Sequence, residues 1–304
     1  MMRDMPCYAV TGASGYLGNR LIAILLTKGR SVLALGRRRP AVDVPFLRFD
    51  LREGASNIET LRQTGIDVIV HAAYDFSVSA PALVHKVNVE GTARLLDAAD
   101  KAGIGRFIEI STMSAFDGCL SVYGQAKLAI ERLVAARNGL SLRPGLIWGP
   151  RPGGMVGTLY KLAGSLPVIP LIGSGTSLQY LVRDADVAEL IIRLAEYPQL
   201  PPVPYLTVCH ERPLQFREIL QKMAVAQDRH PILVPMPAAM VKLCLHAVER
   251  VLPGRGLRTD SVTGLIHGNP APVFRPDVLG ELGMPPFQLF DPAVLAPRTT
   301  RAES

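Results

Sequence analysis

Short apolar runs and longer amphipathic stretches take turns along the first two-thirds of the chain. Cys7 to Val10 is a brief apolar run closed by Thr11-Gly12, Tyr16 to Thr27 has helical spacing and stops at Gly29, and Ser31 to Leu35 is a second strand ending at Gly36. Phe46 to Leu51 reads as a third strand. Val68 to Ala73 is a continuous apolar run with one histidine, as a parallel strand buried on both faces requires. Ala82 to Lys101 predicts a long helix ending near Gly103, Arg106 to Thr112 a strand, Tyr123 to Arg137 a helix and Leu140 to Trp148 a strand. This alternation predicts an α/β fold, a doubly wound parallel sheet with helices on both faces.

The texture changes at Gly149-Pro150. Pro and Gly gather at 149–154 and again between Leu166 and Gly175, which reads as loop. Asp184 to Glu196 predicts a helix and Tyr205 to Cys209 one more strand. The expected organisation is therefore a nucleotide-binding domain over 1–150 and a small substrate lobe over 151–304, with 181–210 returning to the sheet. The apolar stretch from Pro231 to Leu252 is broken by Lys242, His246, Glu249 and Arg250. It falls short of the ~18 uninterrupted residues of a spanning helix, so no transmembrane segment is expected. It reads as an amphipathic helix, either part of the lobe's core or a contact for a lipophilic substrate or a membrane surface. The tail from Ala296 to Ser304 is expected to fray.

Composition adds little to this and removes some options. Apolar residues are 48% of the 304 and charged residues 19%, enough for a buried core and too few charges for disorder. The net charge of +7 is spread out. Its one tight run, Arg37-Arg38-Arg39, has no nucleic-acid motif beside it, so no nucleic-acid partner is expected. Cys7, Cys119, Cys209 and Cys244 lack metal-ligand or disulfide spacing, so no metal is expected. Free thiols, and an opening Met1 to Pro6 without a cleavable apolar segment, predict a cytoplasmic protein.

The first strand runs into Thr11-Gly12-Ala13-Ser14-Gly15-Tyr16-Leu17-Gly18. Glycines at 12, 15 and 18 suit, in turn, a tight turn, close approach to a pyrophosphate and close helix–sheet packing, the Rossmann arrangement. The helix that follows offers its N–H groups to phosphate. Gly12, Ser14, Gly15, Tyr16 and Leu17 are thus expected at a dinucleotide. The second strand ends on Gly36-Arg37-Arg38-Arg39 with no carboxylate. Arg37 and Arg38 suit a 2′-phosphate, which favours NADP(H) while leaving NAD(H) open. Asp50 and Leu51, after the third strand, are placed to meet the adenine.

Tyr123-Gly124-Gln125-Ala126-Lys127 puts a phenol and an ammonium on one helical face. The ammonium is expected to lower the phenol's pKa, so that tyrosine exchanges a proton with a carbonyl or alcohol oxygen near neutral pH.

These segments resemble the extended short-chain dehydrogenases/reductases, the group of NAD-dependent epimerases and dehydratases and of 3β-hydroxysteroid-type dehydrogenases. TGASGYLG has that group's TGxxGxxG form. VIVHAA (68–73), VNVEGTARLLDAA (87–99), YGQAKLAIE (123–131), LRPGLIWGP (142–150) and LVRDADVAELI (181–191) resemble its later motifs, in order. The resemblance implies that Tyr123 and Lys127 are catalytic and that His71, Ala72, Ala73, Asn88 and Pro144 lie at the cofactor beside them. It also implies a third catalytic hydroxyl at the end of the fifth strand. Family spacing selects Thr112, with Ser111 and Ser114 as rivals. Members often pair through two helices per subunit, here 82–101 and 123–137, so a homodimer is implied.

Two departures narrow the chemistry. The Asp-Glu pair of the group's 4,6-dehydratases is replaced by Met113-Ser114, which sets dehydration aside. Gln179 stands where sugar-nucleotide enzymes carry an arginine, although Arg151 or Arg183 offers a substitute. The expectation is hydride transfer between a ketone or aldehyde and an alcohol on a non-nucleotide small molecule. The alternatives are an NAD-dependent nucleotide-sugar epimerase and a cofactor-sensing regulator without turnover. The tyrosine–lysine pair weighs against the regulator.

Overall fold

The computed structural model describes residues 5–53, 61, 63–241, 243 and 259–295. A seven-stranded, wholly parallel sheet forms its centre: β1 (Tyr8–Thr11), β2 (Val32–Gly36), β3 (Phe46–Arg48), β4 (Val68–His71), β5 (Arg106–Ile110), β6 (Leu140–Pro144) and β11 (Tyr205–Val208) lie in the order β11-β6-β5-β4-β1-β2-β3. This is the Rossmann α/β fold. The order reverses between β1 and β4, where open sheets of this kind bind ligands at the strands' carboxyl ends.

Successive strand residues feed opposite faces. Tyr8, Val10, Val32, Val68, Val70, Ile108, Leu140 and Leu206 face α1 (Tyr16–Thr27) and α6 (Asp184–Glu196). Ala9, Leu33, Ile69 and Phe107 face the other layer, which holds α2 (Pro81–Val84), α3 (Glu90–Ala102) and α4 (Val122–Ala135). The expected 82–101 helix is therefore interrupted: a single π-helical turn, His85–Val89, joins α2 to α3.

The strand expected from Val68 to Ala73 leaves the ladder after His71, because the N–H groups of Ala72 and Ala73 turn to Thr11 Oγ1 (3.0 and 3.1 Å). The strand expected over Leu140 to Trp148 is two. Gly145 breaks it, and β7 (Leu146–Trp148) pairs instead with β10 (Leu181–Arg183). A side chain at 145 would stand 2.4 Å from the Tyr180 carbonyl oxygen, so only glycine allows the crossing.

Residues beyond 150 hold more regular structure than their Pro and Gly content suggests. Helices α5 (Gly154–Ser165) and α7 (Phe216–Val225) close a separate small core with Trp148, Leu159, Phe216, Ile219 and Met223. The segment read as loop contains β8 (Val168–Ile172). It pairs in parallel with β13 (Ile232–Met236), so the amphipathic helix expected from Pro231 is a strand at its start. Pro170 and Pro235 disfavour helix and are tolerated in a two-stranded edge pair. Most of the remainder of 231–252, and the 296–304 tail, lie outside the described residues. A short β9 (Leu178–Gln179) pairs with β12 (Leu214–Gln215), and α8 (Thr259–Ile266) and α9 (Pro276–Glu281) complete the lobe. No helix among the described residues is long and apolar enough to cross a membrane.

Candidate active site

The glycine turn is built as its spacing predicts. Gly12 has φ +67°, and a Cβ there would lie 2.8 Å from the Ala72 carbonyl oxygen. A Cβ on Gly18 would lie 2.3 Å from the Gly12 oxygen. The chain is thus drawn tightly between β1, β4 and α1. Gly15 is the N-cap of α1, no side chain caps that end, and its first turn holds no carboxylate. A helix terminus with these properties, at the end of a central strand, fits a dinucleotide pyrophosphate. Ser14 is exposed beside it. Leu17 packs into the core, and the Tyr16 ring lies against Gly153 of the lobe, where burial pushes its phenol up to about 12.

At the tip of β2, Arg37 and Arg38 are exposed. The tip of β2 has no carboxylate of its own, yet the loop after β4 brings one. Asp75 accepts from Arg52 Nε (3.0 Å) and lies 3.5 Å from Arg37 Nη1. Hydrogen bonds from Ser77 and the two guanidinium charges outweigh its burial and hold the Asp75 carboxyl below the usual range. Arg37 and Arg52 are thus both paired with Asp75, and Arg38 is exposed at the same strand tip. Asp50 Oδ1 accepts the Arg52 N–H (3.0 Å), and Leu51 is buried with its carbonyl held by Arg94 (2.7 Å).

His71 and Asn88 are both buried. The His71 ring is fully buried and its nitrogens are taken by Thr11 Oγ1 (2.8 Å) and Thr92 Oγ1 (2.9 Å). Thr92 donates to the Asn88 carbonyl, so it accepts from Nε2–H. Thr11 Oγ1 accepts two backbone N–H groups, so it donates to Nδ1. The network thus assigns a neutral ring with the proton on Nε2, and burial, followed by the charge of Lys127, lowers its pKa to about 3. Asn88 is also buried, its amide bridging Asp75 N (2.7 Å) and O (3.3 Å). Asn88 thereby braces the loop that follows β4, and His71 ties β4 to β1 and α3. Pro144, at the end of β6, is buried as well.

Helix α4 carries the catalytic candidates. Ser121 caps it, accepting from Gly124 N (3.0 Å). A Cβ at 124 would lie 2.3 Å from the Ser114 oxygen, so glycine lets the helix press against the segment after β5. The Thr112 side chain lies near the Tyr123 phenol and acts to lower its pKa, against the larger effect of burial. Ser111 is spent elsewhere: its hydroxyl donates to Glu131, buried. Ser114 lies against Gly264 of α8. Of the three candidate hydroxyls, the structure sets Thr112 beside the phenol.

The expectation for Lys127 needs correction. Its ammonium donates to Glu109 Oε1 (2.8 Å) and Ile110 O (2.5 Å), with both charged side chains buried. The Tyr123 phenol is accordingly not lowered: burial first, and the Glu109 charge second, push it well above its ordinary value. Nothing in the spacing of residues 123 and 127 disclosed the carboxylate beneath them, which arrives from β5.

Three further groups escaped the sequence reading. Tyr74 and Phe76 stand over Tyr123, with ring centroids 4.9 and 5.6 Å from it, and Phe76 is half exposed. From the lobe, the carboxylate of Asp260 accepts the N–H groups of Val122 (2.9 Å) and Tyr123 (3.1 Å). Gln179 is buried and donates to Leu265 O (3.0 Å), while Arg183 is bound to Gln288 (2.5 Å) and Arg151 is exposed.

The sequence model of the NAD dependent epimerase/dehydratase family matches residues 8–205. A ceramide reductase of Caulobacter vibrioides is 30% identical over 237 residues, 75% of this chain and 73% of that one. A 4-hydroxy-2-methyl-3-oxo-4-farnesyl-3,4-dihydroquinoline-1-oxide ketoreductase of Stigmatella aurantiaca is 37% identical over 166 residues, 46% of this chain and half of the relative. The UDP-glucose 4-epimerase of Thermus thermophilus, solved with NAD, superposes with a TM-score of 0.71 over 95% of this chain and 96% of its own, at 23% identity, which is a likeness of fold.

Proposed function

Since the chain belongs to the NAD dependent epimerase/dehydratase family, we propose that it is a net carbonyl reductase of that family, NADP(H)-dependent and acting on a lipophilic, non-nucleotide ketone or aldehyde. The observation that carries this reading is the placing of Tyr123, with the Thr112 side chain near its phenol, beneath the aromatic rings of Tyr74 and Phe76. A carbonyl oxygen received between these two hydroxyls is oriented by Thr112 and takes its proton from Tyr123 Oη. The bound cofactor supplies the hydride. The glycine turn and the N-terminus of α1 hold the pyrophosphate, and Arg37 and Arg38 hold the 2′-phosphate. In the reverse direction Tyr123 takes the proton of the alcohol.

Several features favour this over sugar-nucleotide epimerisation. Gln179 is committed to the Leu265 carbonyl and Arg183 to Gln288, so neither is poised as a diphosphate clamp. Phe76 presents a half-exposed aromatic ring beside Tyr123. The named relatives that act on lipids or lipid-like ketones point the same way. As the resemblance implies, the chain would work as a homodimer through the helical segments 82–101 and 123–137. Separately, the exposed Ile232 and Val234, at the start of the apolar 231–252 stretch, would serve a lipophilic substrate or a membrane-surface contact.

Titration with NADPH and with NADH at one stated salt concentration, followed by nucleotide fluorescence, tests the cofactor assignment. Tighter NADPH binding, with NADPH consumption on apolar ketones, is the expected result. NAD that stays bound through purification would favour the epimerase.

A further inference from the structure

Tyr74, Asp75, Phe76 and Ser77 follow β4 and alternate aromatic with polar. Their contacts alternate too. The rings of Tyr74 and Phe76 meet Tyr123, with centroids 4.9 and 5.6 Å from it and 4.7 Å from one another. Asp75 and Ser77 turn instead to Arg52, which donates to the Asp75 carboxylate through Nε (3.0 Å) and to Ser77 Oγ through Nη2 (2.8 Å). One side of this short loop therefore faces the proposed proton donor, and the other the arginines at the ends of β2 and β3.

A single half-exposed phenylalanine on a surface loop is ordinary. This one is held by the polar groups on either side of it. The Asp75 N–H donates to Asn88 Oδ1 (2.7 Å), and the Asp75 carbonyl accepts from Asn88 Nδ2 (3.3 Å). Asn88 is itself fully buried. Asp75 Oδ1 accepts both the N–H and the hydroxyl of Ser77 (2.9 and 2.6 Å), an Asx turn that closes across Phe76. Asp75 Oδ2 is taken by Arg52 and Arg37. With residues 75 and 77 both fixed, Phe76 is held with 51% of its surface open and its ring beside Tyr123. An apolar ring left in water is unfavourable, and a loop that orders it in advance lowers the cost of binding something against it.

We infer that Phe76 is a specificity-determining residue: its ring packs against a flat, conjugated group borne by the reacting carbonyl, so that aryl and other conjugated ketones are preferred to saturated ones of like size. This rests on the reading of Tyr123 as proton donor to a carbonyl. A carbonyl whose oxygen reaches that phenol brings its substituents beside the rings that stand over it. Tyr74 is enclosed, edge-on to Tyr123 at 83° and with the Lys127 ammonium 5.6 Å from its ring centre. The exposed ring is that of Phe76, tilted by 34° to Tyr123, and it is the one a substrate meets. Aromatic pairs in offset or edge-to-face geometry are favoured beyond the burial of their area, and a saturated ring lacks that part.

The test uses the full chain, its bound nicotinamide nucleotide and two ketones of one carbon skeleton, acetophenone and cyclohexyl methyl ketone, which differ in whether the ring is flat and conjugated. In wild type acetophenone should show the lower KM, and the reverse order overturns the inference without any variant. In Phe76→Leu, which keeps an apolar side chain and loses the ring, the ratio of kcat/KM for acetophenone over cyclohexyl methyl ketone should fall about twofold to tenfold. Phe76→Tyr, which keeps the ring, should hold the ratio near the wild-type one. A ratio unmoved in Phe76→Leu overturns the inference, as does an equal fall in both variants, and in either case reduction of the two ketones leaves the carbonyl-reductase reading standing. Wild type that reduces neither ketone overturns the inference as well, and the reading beneath it then stands or falls on whether other apolar ketones are reduced.

Discussion

The carboxylate of Asp260 accepts the backbone N–H of Tyr123 at 3.1 Å, across 137 residues of chain. Its second oxygen accepts that of Val122 at 2.9 Å. The first N–H groups of a helix have no partner within it, and a carboxylate there also meets the positive end of the helix dipole. A residue of the C-terminal lobe thereby fixes the end of the helix on which the proposed proton donor sits.

Asp260→Ala should cost about 1 kcal/mol of stability, the usual worth of such a cap. Because the lost contact is to Tyr123 itself, kcat should fall by more than KM rises. Thermal unfolding and steady-state kinetics check the two parts, and Asp260→Asn should recover a share of both. An unchanged kcat would show that the lobe does not position the phenol.

At the tip of β2, Arg38→Ala should weaken NADPH binding roughly tenfold to a hundredfold, the worth of a charge-assisted bond, and leave NADH binding nearly unchanged. Arg37→Ala should act in the same direction and also take one partner from Asp75. Equal losses for the two nucleotides would remove the assignment of the 2′-phosphate to these arginines.

His71 makes stability depend on pH on the acid side. Its folded-state pKa, about 3, lies below the ordinary 6.5. Between those values the unfolded chain binds a proton that the folded one does not. The stabilisation is therefore complete above about 6.5, is lost as pH falls from there toward about 3, and then levels off, with a slope of at most ~1.4 kcal/mol per pH unit. His71→Gln should flatten this part of the curve in denaturant unfolding at a series of pH values. Identical acid-side slopes would contradict the neutral buried ring.

The sequence disclosed what depends on neighbours along the chain. The glycine turn, the strand–helix alternation up to α4 and the Asp184–Glu196 helix are local patterns, and they emerge in the fold as periodicity predicts. What lay hidden was contact between distant segments. The polar row of Thr11, His71, Glu109 and Ser141, register partners on four neighbouring strands, needs the strand order before it can be seen. Thr112 is told apart from Ser111 by Glu131, and Lys127 is diverted by Glu109. The π-helical turn at 85–89 and the parallel β8–β13 pair leave no period that a helix or strand template detects. Asp75 reaches the cofactor's end of the sheet through a loop with no pattern of its own.

The most direct measurement of the central claim compares wild type with Tyr123→Phe, using NADPH and an apolar ketone and following hydride transfer and nucleotide binding on the same samples. The account predicts that the variant loses nearly all turnover, by about a hundredfold or more as a proton donor of this kind is worth, while its NADPH affinity changes little. Turnover at the wild-type rate in a variant that still binds NADPH would contradict it.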